Sequence, residues 1–368
     1  MPYQVRTLMK IVVIKSVLKL PFVLLIINLL LGCAQEFTDE QLALFEQSNH
    51  KPIYVKDPRD QLTARFFGTS TLLFDDGEEA ILIDGFFSRP SIFQLIFRPL
   101  TQKSRKEIKE ILDPVLRGKL KAVAVAHAHH DHALDSSCVS LAYDARLVGS
   151  SSVLNLYCKG KPATNVFETN NDVTLPNQTE PNDVYVGNNF TLTAIPSKHI
   201  VPSKPFPSIL GLGESIEEPI DSQSHLLCYN EGQSYVFLLH HKLTKTNIVI
   251  YPSANINESV FRDSINQRVQ SKDGAMWLFM GIAGLSSIAP DNIMASIYKT
   301  ISPTYVVPIH YDDFTRKTQG RLQPSIKQIG DFDLDFKALQ SATDPNKTQI
   351  KLFKYKQAVI LSQISNTK

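Results

Sequence analysis

In Ala126-His127-Ala128-His129-His130-Asp131-His132-Ala133-Leu134-Asp135, four potential metal ligands, His127, His129, Asp131 and His132, fall within six residues. The run before them, Lys121-Ala122-Val123-Ala124-Val125-Ala126, is apolar and partly β-branched. That composition suits a strand buried on both faces and ending where the histidines begin. Side chains alternate along a strand, so His127 and His129 point the same way and Ala128 takes little room between them. The chain then turns into a helix, from which Asp131 and His132 point back toward a second position beside the first. Three imidazoles and a carboxylate buried together without a cation would cost on the order of several kcal/mol in unpaired polar groups, and a divalent ion satisfies them all. Zinc, manganese and iron accept His, Asp and water as ligands.

Upstream of this turn, residues 70–74 and 79–83 read as strands joined at Asp75-Asp76-Gly77, a hairpin signal. The second strand ends in Asp84-Gly85. Residues 90–112 read as helix in two pieces divided at Pro99, and Thr38 with Gln41 forms a capping-box pattern at the start of a short N-terminal helix. Downstream, residues 134–143 and 153–154 read as helical. Residues 184–186 and 190–195 flank Gly187-Asn188-Asn189 as a second hairpin, with Lys198-His199 at its end. Residues 201–224, rich in Pro, Ser, Gly and Glu, read as a long loop of the kind that forms lids or binding surfaces. Residues 226–229, 234–239 and 247–251 read as strands, 257–269 as a helix, 277–280 as a buried strand and 292–300 as a helix. A strand over 305–307 leads into Pro308-Ile309-His310-Tyr311-Asp312-Asp313-Phe314. Strands followed by helices thus occur twice.

The 368 residues are 43% hydrophobic with a net charge of +2, enough for one large core or two smaller ones. Lys plus Arg number 38 against 36 Asp plus Glu, so no basic excess argues for nucleic acid as a partner. Arg6, Lys10, Lys15 and Lys19 precede an apolar run over residues 20–31, broken by Pro21 and Asn28, which reads as a secretion signal. The run is shorter than the ~18 residues of a membrane span. It ends in Leu30-Leu31-Gly32-Cys33, which resembles the bacterial lipobox and implies cleavage before Cys33 and lipid on that residue. Residues 1–32 are then a signal peptide, 33–60 an N-terminal arm and 61–368 the main domain. Ala34 after the cysteine, by resemblance to enterobacterial sorting, points to a lipid-anchored protein of the outer membrane, facing the periplasm or the cell surface. Cys138, Cys158 and Cys228 allow one disulfide, with Cys138 and Cys158 the closer-following pair, or plain buried thiols.

His127-x-His129-x-Asp131-His132 behind a buried strand resembles the hallmark of the metallo-β-lactamase superfamily. The resemblance covers about residues 66–314 and implies an α/β (α+β) fold, a four-layered αββα sandwich with the ligands at one edge. It implies that Asp84 supports the metal loop through hydrogen bonds. It also implies that His199 completes a first position with His127 and His129, and His310 a second with Asp131 and His132. A bridging Asp is implied after the strand over 247–251, yet Pro252-Ser253-Ala254-Asn255 holds no carboxylate. Ser253 is the residue at which a carboxylate would restore the bridge. His225, His240 and His241 are candidate replacements, at most one of the last two, because they face opposite ways on a strand. One Zn2+ is therefore expected to be held tightly and a second loosely, with Mn2+ or Fe2+ as alternatives.

A cation with three protein ligands and an open position makes water acidic near neutrality and polarises a carbonyl or phosphoryl oxygen, which is the chemistry of hydrolysis. The expected substrate is a small molecule with an ester, lactone or phosphoester bond. Asp131 is placed to orient water and shuttle its proton, and Tyr311 or Asp312, beside His310, to contact the leaving group. The surroundings of Asp84-Gly85-Phe86-Phe87 and of His310 resemble the lactonase and phosphodiesterase-like branches. Two rival readings are a mononuclear iron oxygenase of the same fold and a non-catalytic metal-binding surface lipoprotein, the latter favoured by the missing carboxylate.

Overall fold

The computed structural model describes residues 35–48, 61–158, 173–199, 212–220, 224–252, 254–255, 258–269, 274–287, 290–325 and 330–363. The first helix, α1 (Asp39–Ser48), starts at a capping box in which Thr38 N donates to Gln41 Oε1 at 2.9 Å and Gln41 N to Thr38 Oγ1 at 3.2 Å. Three antiparallel strands follow, β1 (Gln61–Phe66), β2 (Leu72–Asp75) and β3 (Glu79–Ile83). Helices α2 (Ile92–Phe97) and α3 (Arg105–Leu112) then cross over to β4 (Lys119–Ala124), parallel to β3. The metal-ligand turn forms α4 (His130–Ala133), and α5 (Ser136–Tyr143), β5 (Arg146–Val148), α6 (Ser151–Leu154) and β6 (Val173–Thr174) complete this half.

The second half repeats the plan. Antiparallel β7 (Asn182–Val186), β8 (Phe190–His199), β9 (Ser234–His241) and β10 (Thr246–Tyr251) are followed by the short β11 (Ala254–Asn255). After α7 (Glu258–Arg268) come β12 (Met276–Gly281), α8 (Pro290–Ile301), β13 (Tyr305–Ile309), α9 (Phe332–Ser341), β14 (Gln349–Ile350) and β15 (Ala358–Gln363). One sheet runs β15-β1-β2-β3-β4-β5-β6 and the other β11-β8-β9-β10-β12-β13-β14, with β7 also on β8.

Alternation along the strands makes the layers. In β3, Ile81 and Ile83 join the core between the sheets, while Ala80 and Leu82 face the helices outside. Residues 122–126 continue the pattern, Ala122, Ala124 and Ala126 inward, Val123 and Val125 outward, so this strand is buried on both faces. Leu95, Ile108, Leu112, Val139 and Val153 from the surrounding helices cover the outer face of the first sheet. Phe261, Ile265, Ile297, Phe336 and Leu339 from α7, α8 and α9 pack on the second. The result is the αββα sandwich expected from the sequence. Cys138 and Cys158 are joined in a disulfide, closing a 20-residue separation on the outer helical layer; Cys228 is not in a disulfide.

Residues 226–229 correct the sequence reading: Leu226–Cys228 is a 3-10 helix, not a strand. Its apolar residues serve another layer, since half-buried Leu226 and buried Tyr229 pack with the helices outside the first sheet. The neighbouring Ser224 O accepts from Leu100 N at 3.0 Å, holding the segment against the end of α2 rather than in a ladder. The sequence reading also lacked β1, β15 and α9. Strand β15 pairs antiparallel with β1 from Gln61↔Gln363 onward, so the first sheet takes its edge from the far end of the chain.

Asp76, in the β2–β3 turn, ties the two sheets together at the end remote from His199. Its Oδ1 accepts from Glu78 N and Glu79 N, both at 2.8 Å, and its Oδ2 from Asn189 Nδ2 at 2.7 Å and His241 Nε2 at 3.1 Å. Burial opposes its ionisation, but His241, the two amides and Asn189 outweigh burial and lower its pKa. A carboxyl whose folded pKa is depressed contributes stability that is present above the unfolded value of about 3.9 and is lost as pH falls through the folded value. Asp76→Asn is therefore expected to lower the melting temperature at neutral pH and to shrink the further loss between about pH 5 and pH 2, as read by thermal melts across that range. An unchanged acid profile would count against this role.

Candidate metal centre

Beyond β4 the chain bends at Ala126, Ala128 and His129 and is held by three neighbours. Val125 N donates to Val148 O at 2.9 Å, Ala126 N to Asp84 Oδ1 at 2.8 Å and Ala128 N to Glu231 O at 2.8 Å. Ala126 O accepts from Tyr235 N of β9 at 2.9 Å, joining the two sheets beside the histidines. His127 Nε2 lies 3.0 Å from His129 Nδ1. His199, the last residue of β8, closes the group, its ring centroid 4.8 and 5.0 Å from those of His127 and His129. The ligating atoms of these three residues all lie within 4.8 Å of one another.

A second group, within the same limit, joins Asp131 and His132 of α4 to His310, just beyond β13. His132 Nε2 is 3.2 Å from His310 Nε2, and Asp131 Oδ2 is 3.3 and 3.8 Å from His310 Nε2 and His132 Nε2. The groups abut, the His127 and His132 ring centroids being 4.0 Å apart. Nitrogen donors around a tetrahedral zinc at about 2.1 Å stand about 3.4 Å apart. The separations of 3.2–3.8 Å in the second group straddle that value, and in the first His127 and His129 stand 3.0 Å apart with all three donors inside 4.8 Å, so the two groups fit divalent cations in donor type and in spacing.

Asp84 organises both halves of this turn. Its Oδ1 receives Ala126 N, and its Oδ2 lies 2.8 Å from His132 Nδ1, with Ser70 Oγ bonded to both Oδ2 and that nitrogen. With Nδ1 facing a carboxylate, the ring carries its proton there and presents the Nε2 lone pair to the second group. Gly85 N donates to His132 O and Asp135 N to Gly85 O, each at 2.8 Å. This approach requires glycine, since a Cβ on Gly85 would stand 2.7 Å from Ser136 Cα. Below it, Asp135 accepts from Phe87 N and Ser88 N at 2.7 Å and Lys103 N at 2.8 Å, fixing the segment that leads into the α2 and α3 crossover.

Burial, reinforced by neighbouring histidines, pushes the His127 pKa well below its ordinary value and that of His129 down to about 3. Both rings are therefore neutral donors. For Asp131, burial opposes ionisation, but His132, His310 and His130 prevail and hold the carboxyl well below the usual range. Burial likewise opposes protonation of His132, and Asp84 and Asp131 outweigh it.

Other sequence candidates fall elsewhere. Tyr311 does not face the centre; it is 2% exposed among Phe37, Phe45, Phe66 and Phe332, and its hydroxyl donates to Phe353 O at 3.4 Å. The Asp312 carboxylate is also buried, between Thr69 N and Arg89, so neither contacts a leaving group. None of the three candidate bridging histidines arrives: the His225 ring bonds Ile96 O, His240 bonds Asn247, and His241 bonds Asp76 and Thr244. The loop after β10 does reach the centre, because Ala254 pairs with His199. Ser253 and Cys33 lie outside the described residues. Sequence reasoning missed Ser70 and Glu231. The latter accepts from His199 N at 3.2 Å, Ser234 Oγ at 2.9 Å and Gly213 N at 2.8 Å. Only its burial, which the sequence does not display, sets it apart from other turn-side acids.

No family model matches the sequence, and no curated protein matches it. Among solved structures, Igni18, a metallo hydrolase from the hyperthermophilic archaeon Ignicoccus hospitalis, is similar with a TM-score of 0.48 at 16% identity, over 82% of this chain and 99% of that one. Unliganded yeast PDE1 gives 0.47 at 10% identity, over 82% and 99%. CmlA, a diiron β-hydroxylase from Streptomyces venezuelae, gives 0.44 at 12%, over 82% of this chain and 54% of that one. At such scores these likenesses bear on neither activity nor substrate.

Removing the carboxylate behind a ligating histidine typically costs about 10- to 100-fold in metal affinity. Asp84→Asn should weaken Zn2+ retention by that order, measured as metal content against a graded chelator. Retention equal to that of the unaltered chain would contradict the bond geometry given for His132.

Proposed function

We propose that this chain is a metal-dependent hydrolase of the metallo-β-lactamase type, acting on an ester, lactone or phosphoester bond of a small molecule. The observation that carries the reading is the pair of adjoining ligand groups, assembled from the ends of β4, β8 and β13 at one edge of the sandwich. His127, His129 and His199 would hold one Zn2+, and Asp131, His132 and His310 a second. When bound, such cations supply Lewis acidity toward an oxygen of the scissile group and make water acidic near neutral pH.

The residues of the chain do the rest. His127 and His132 are closed to solvent, whereas His199 and His310 are partly exposed, so substrate and water approach from the side of the latter pair. Asp131, 3.3 Å from His310 Nε2, is placed to orient the attacking water and shuttle its proton. No carboxylate is shared between the two groups among the described residues, so repulsion between two dications is not offset, and for that reason the second position would hold its ion less tightly. About one Zn2+ per chain should survive dialysis, and His127→Ala should abolish hydrolysis of a substrate panel more completely than His310→Ala. Two equally tight ions, or equal loss in the two variants, would refute the assignment. Iron as the resident metal, with oxygen consumption and no hydrolysis, would favour the oxygenase.

The chain acts outside the cytoplasm, held to the bacterial outer membrane through lipid on Cys33. The disulfide between Cys138 and Cys158 supports an oxidising compartment. Mass spectrometry of the mature protein should find a diacylglyceryl-modified Cys33 at its N-terminus. Membrane attachment that survives Cys33→Ser would overturn the anchor.

A further inference from the structure

His132 and His310, whose imidazoles face each other across the second ligand group, are both held by one turn, the first through its ring and the second through its backbone. Between β1 and β2 the chain reverses, with Thr71 N donating to Gly68 O at 3.0 Å and Phe67 N to Thr71 O at 2.9 Å. Thr69 O accepts from His310 N at 2.5 Å, and the hydroxyl of the next residue, Ser70, stands 2.8 Å from His132 Nδ1. Adjacent residues thus hold the backbone of His310 and the ring of His132, whose Nε2 atoms are 3.2 Å apart.

The turn is itself held by a buried ion pair. Asp312 Oδ1 accepts from Thr69 N at 2.6 Å, and its Oδ2 accepts from Arg89 Nη2 at 2.6 Å. Arg89 also donates to Phe67 O at 3.3 Å and to Asp313 O at 3.1 Å, so its planar fork spans the turn and the segment after His310. The two side chains are 5% and 0% exposed. Gly68, at φ 95°, makes room for the guanidinium, since a Cβ there would fall 1.8 Å from Nη2.

We propose that the Arg89–Asp312 ion pair, acting through the Gly68-Thr69-Ser70 turn, positions His132 and His310 at the spacing the second cation requires. The inference rests on the reading that Asp131, His132 and His310 hold a cation. Arg89, Asp312 and Ser70 are positioning residues, because their contacts are with backbone, with one another and with the far nitrogen of His132. A buried pair resists separation, since either member alone is an uncompensated charge in a medium of low dielectric. The same pair pins Thr69, Arg89 and His310, three non-glycine residues at φ 52°, 46° and 57°, in a backbone region they rarely adopt.

The test compares Asp312→Asn, Arg89→Lys and Ser70→Ala in the full chain. In metal-free crystals the His132 to His310 Nε2 separation should stay near 3.2 Å in the unaltered protein and widen beyond direct contact in Asp312→Asn. In Zn2+ titrations against a chelator, the second ion should weaken by about 10- to 100-fold in Asp312→Asn and Ser70→Ala, with the first unchanged. Arg89→Lys, which keeps the charge and loses the fork, should fall between. If Asp312→Asn does not fold, Arg89→Met combined with Asp312→Leu removes both charges and takes the same two readouts. Folded variants that keep the ring spacing and the second ion while only melting earlier would overturn the proposal, as would equal weakening of both ions. If the unaltered chain takes up no second Zn2+, the cation reading fails, and the metal-free spacing alone decides whether the ion pair positions the rings.

Discussion

Six ligating side chains are crowded into contact at one edge of the sandwich, and the surrounding structure answers to that crowding. Neutral rings tolerate it better than charged ones, and burial keeps His127 and His129 neutral. Each ring must nevertheless present one particular nitrogen, and that depends on what the other nitrogen meets. Asp84 answers for His132 and at the same time holds Ala126 N, so one carboxylate fixes both the strand end that delivers His127 and the helical turn that delivers His132. A carboxylate at that point can do both only because the backbone turns there, with Asp84 itself at φ 55°.

Left-handed backbone recurs around the centre. Thr69, Asp84, Arg89 and His310 all adopt positive φ without being glycine, and each such residue costs on the order of 1 kcal/mol or more. A fold selected for stability alone would place glycine there or straighten the loop. Three of the four side chains are instead engaged: Asp84 on His132, Arg89 on Asp312, and His310 beside Asp131. The strain is therefore tied to side chains that glycine could not supply, and its cost is offset by the packed double sheet beneath, which over-determines where the loops start and stop.

The parts of this arrangement that are legible in the sequence are those written within a few consecutive residues. The apolar run before His127 shows double burial, the Asp-Gly signal gives the β2–β3 hairpin, and the cluster from His127 to His132 gives two of the three ligands of each group. His199 and His310 are visible only through the order of strands that a family resemblance supplies. Ser70, Arg89 and Glu231 carry no local signal, since a serine in a turn or a charged residue near a loop is ordinary. Their partners lie far along the chain, 62 residues away for Ser70 and His132 and 223 for Arg89 and Asp312. Strand β15 escapes for the same reason, its partner β1 being almost the whole chain away. Residues 226–229 mislead because packing beside helices and pairing in a sheet select the same apolar residues.

The charge of the centre follows from where its acids go. Opposite His199 the chain places Ala254, and the loop leading there is pressed so close to β12 that a Cβ on Gly281 would lie 1.8 Å from Pro252 O. Glu231, the acid bonded to His199 N, spends its carboxylate on three donors, His199 N, Ser234 Oγ and Gly213 N, and is in neither ligand group. Among the described ligand groups Asp131 is thus the only negative charge, so two dications there would be left largely uncompensated. At a separation of about 3.5 to 4 Å such ions need an anionic oxygen between them. Where the protein does not provide one, solvent or substrate must, and a second ion is then held most firmly when something reactive lies between the two positions.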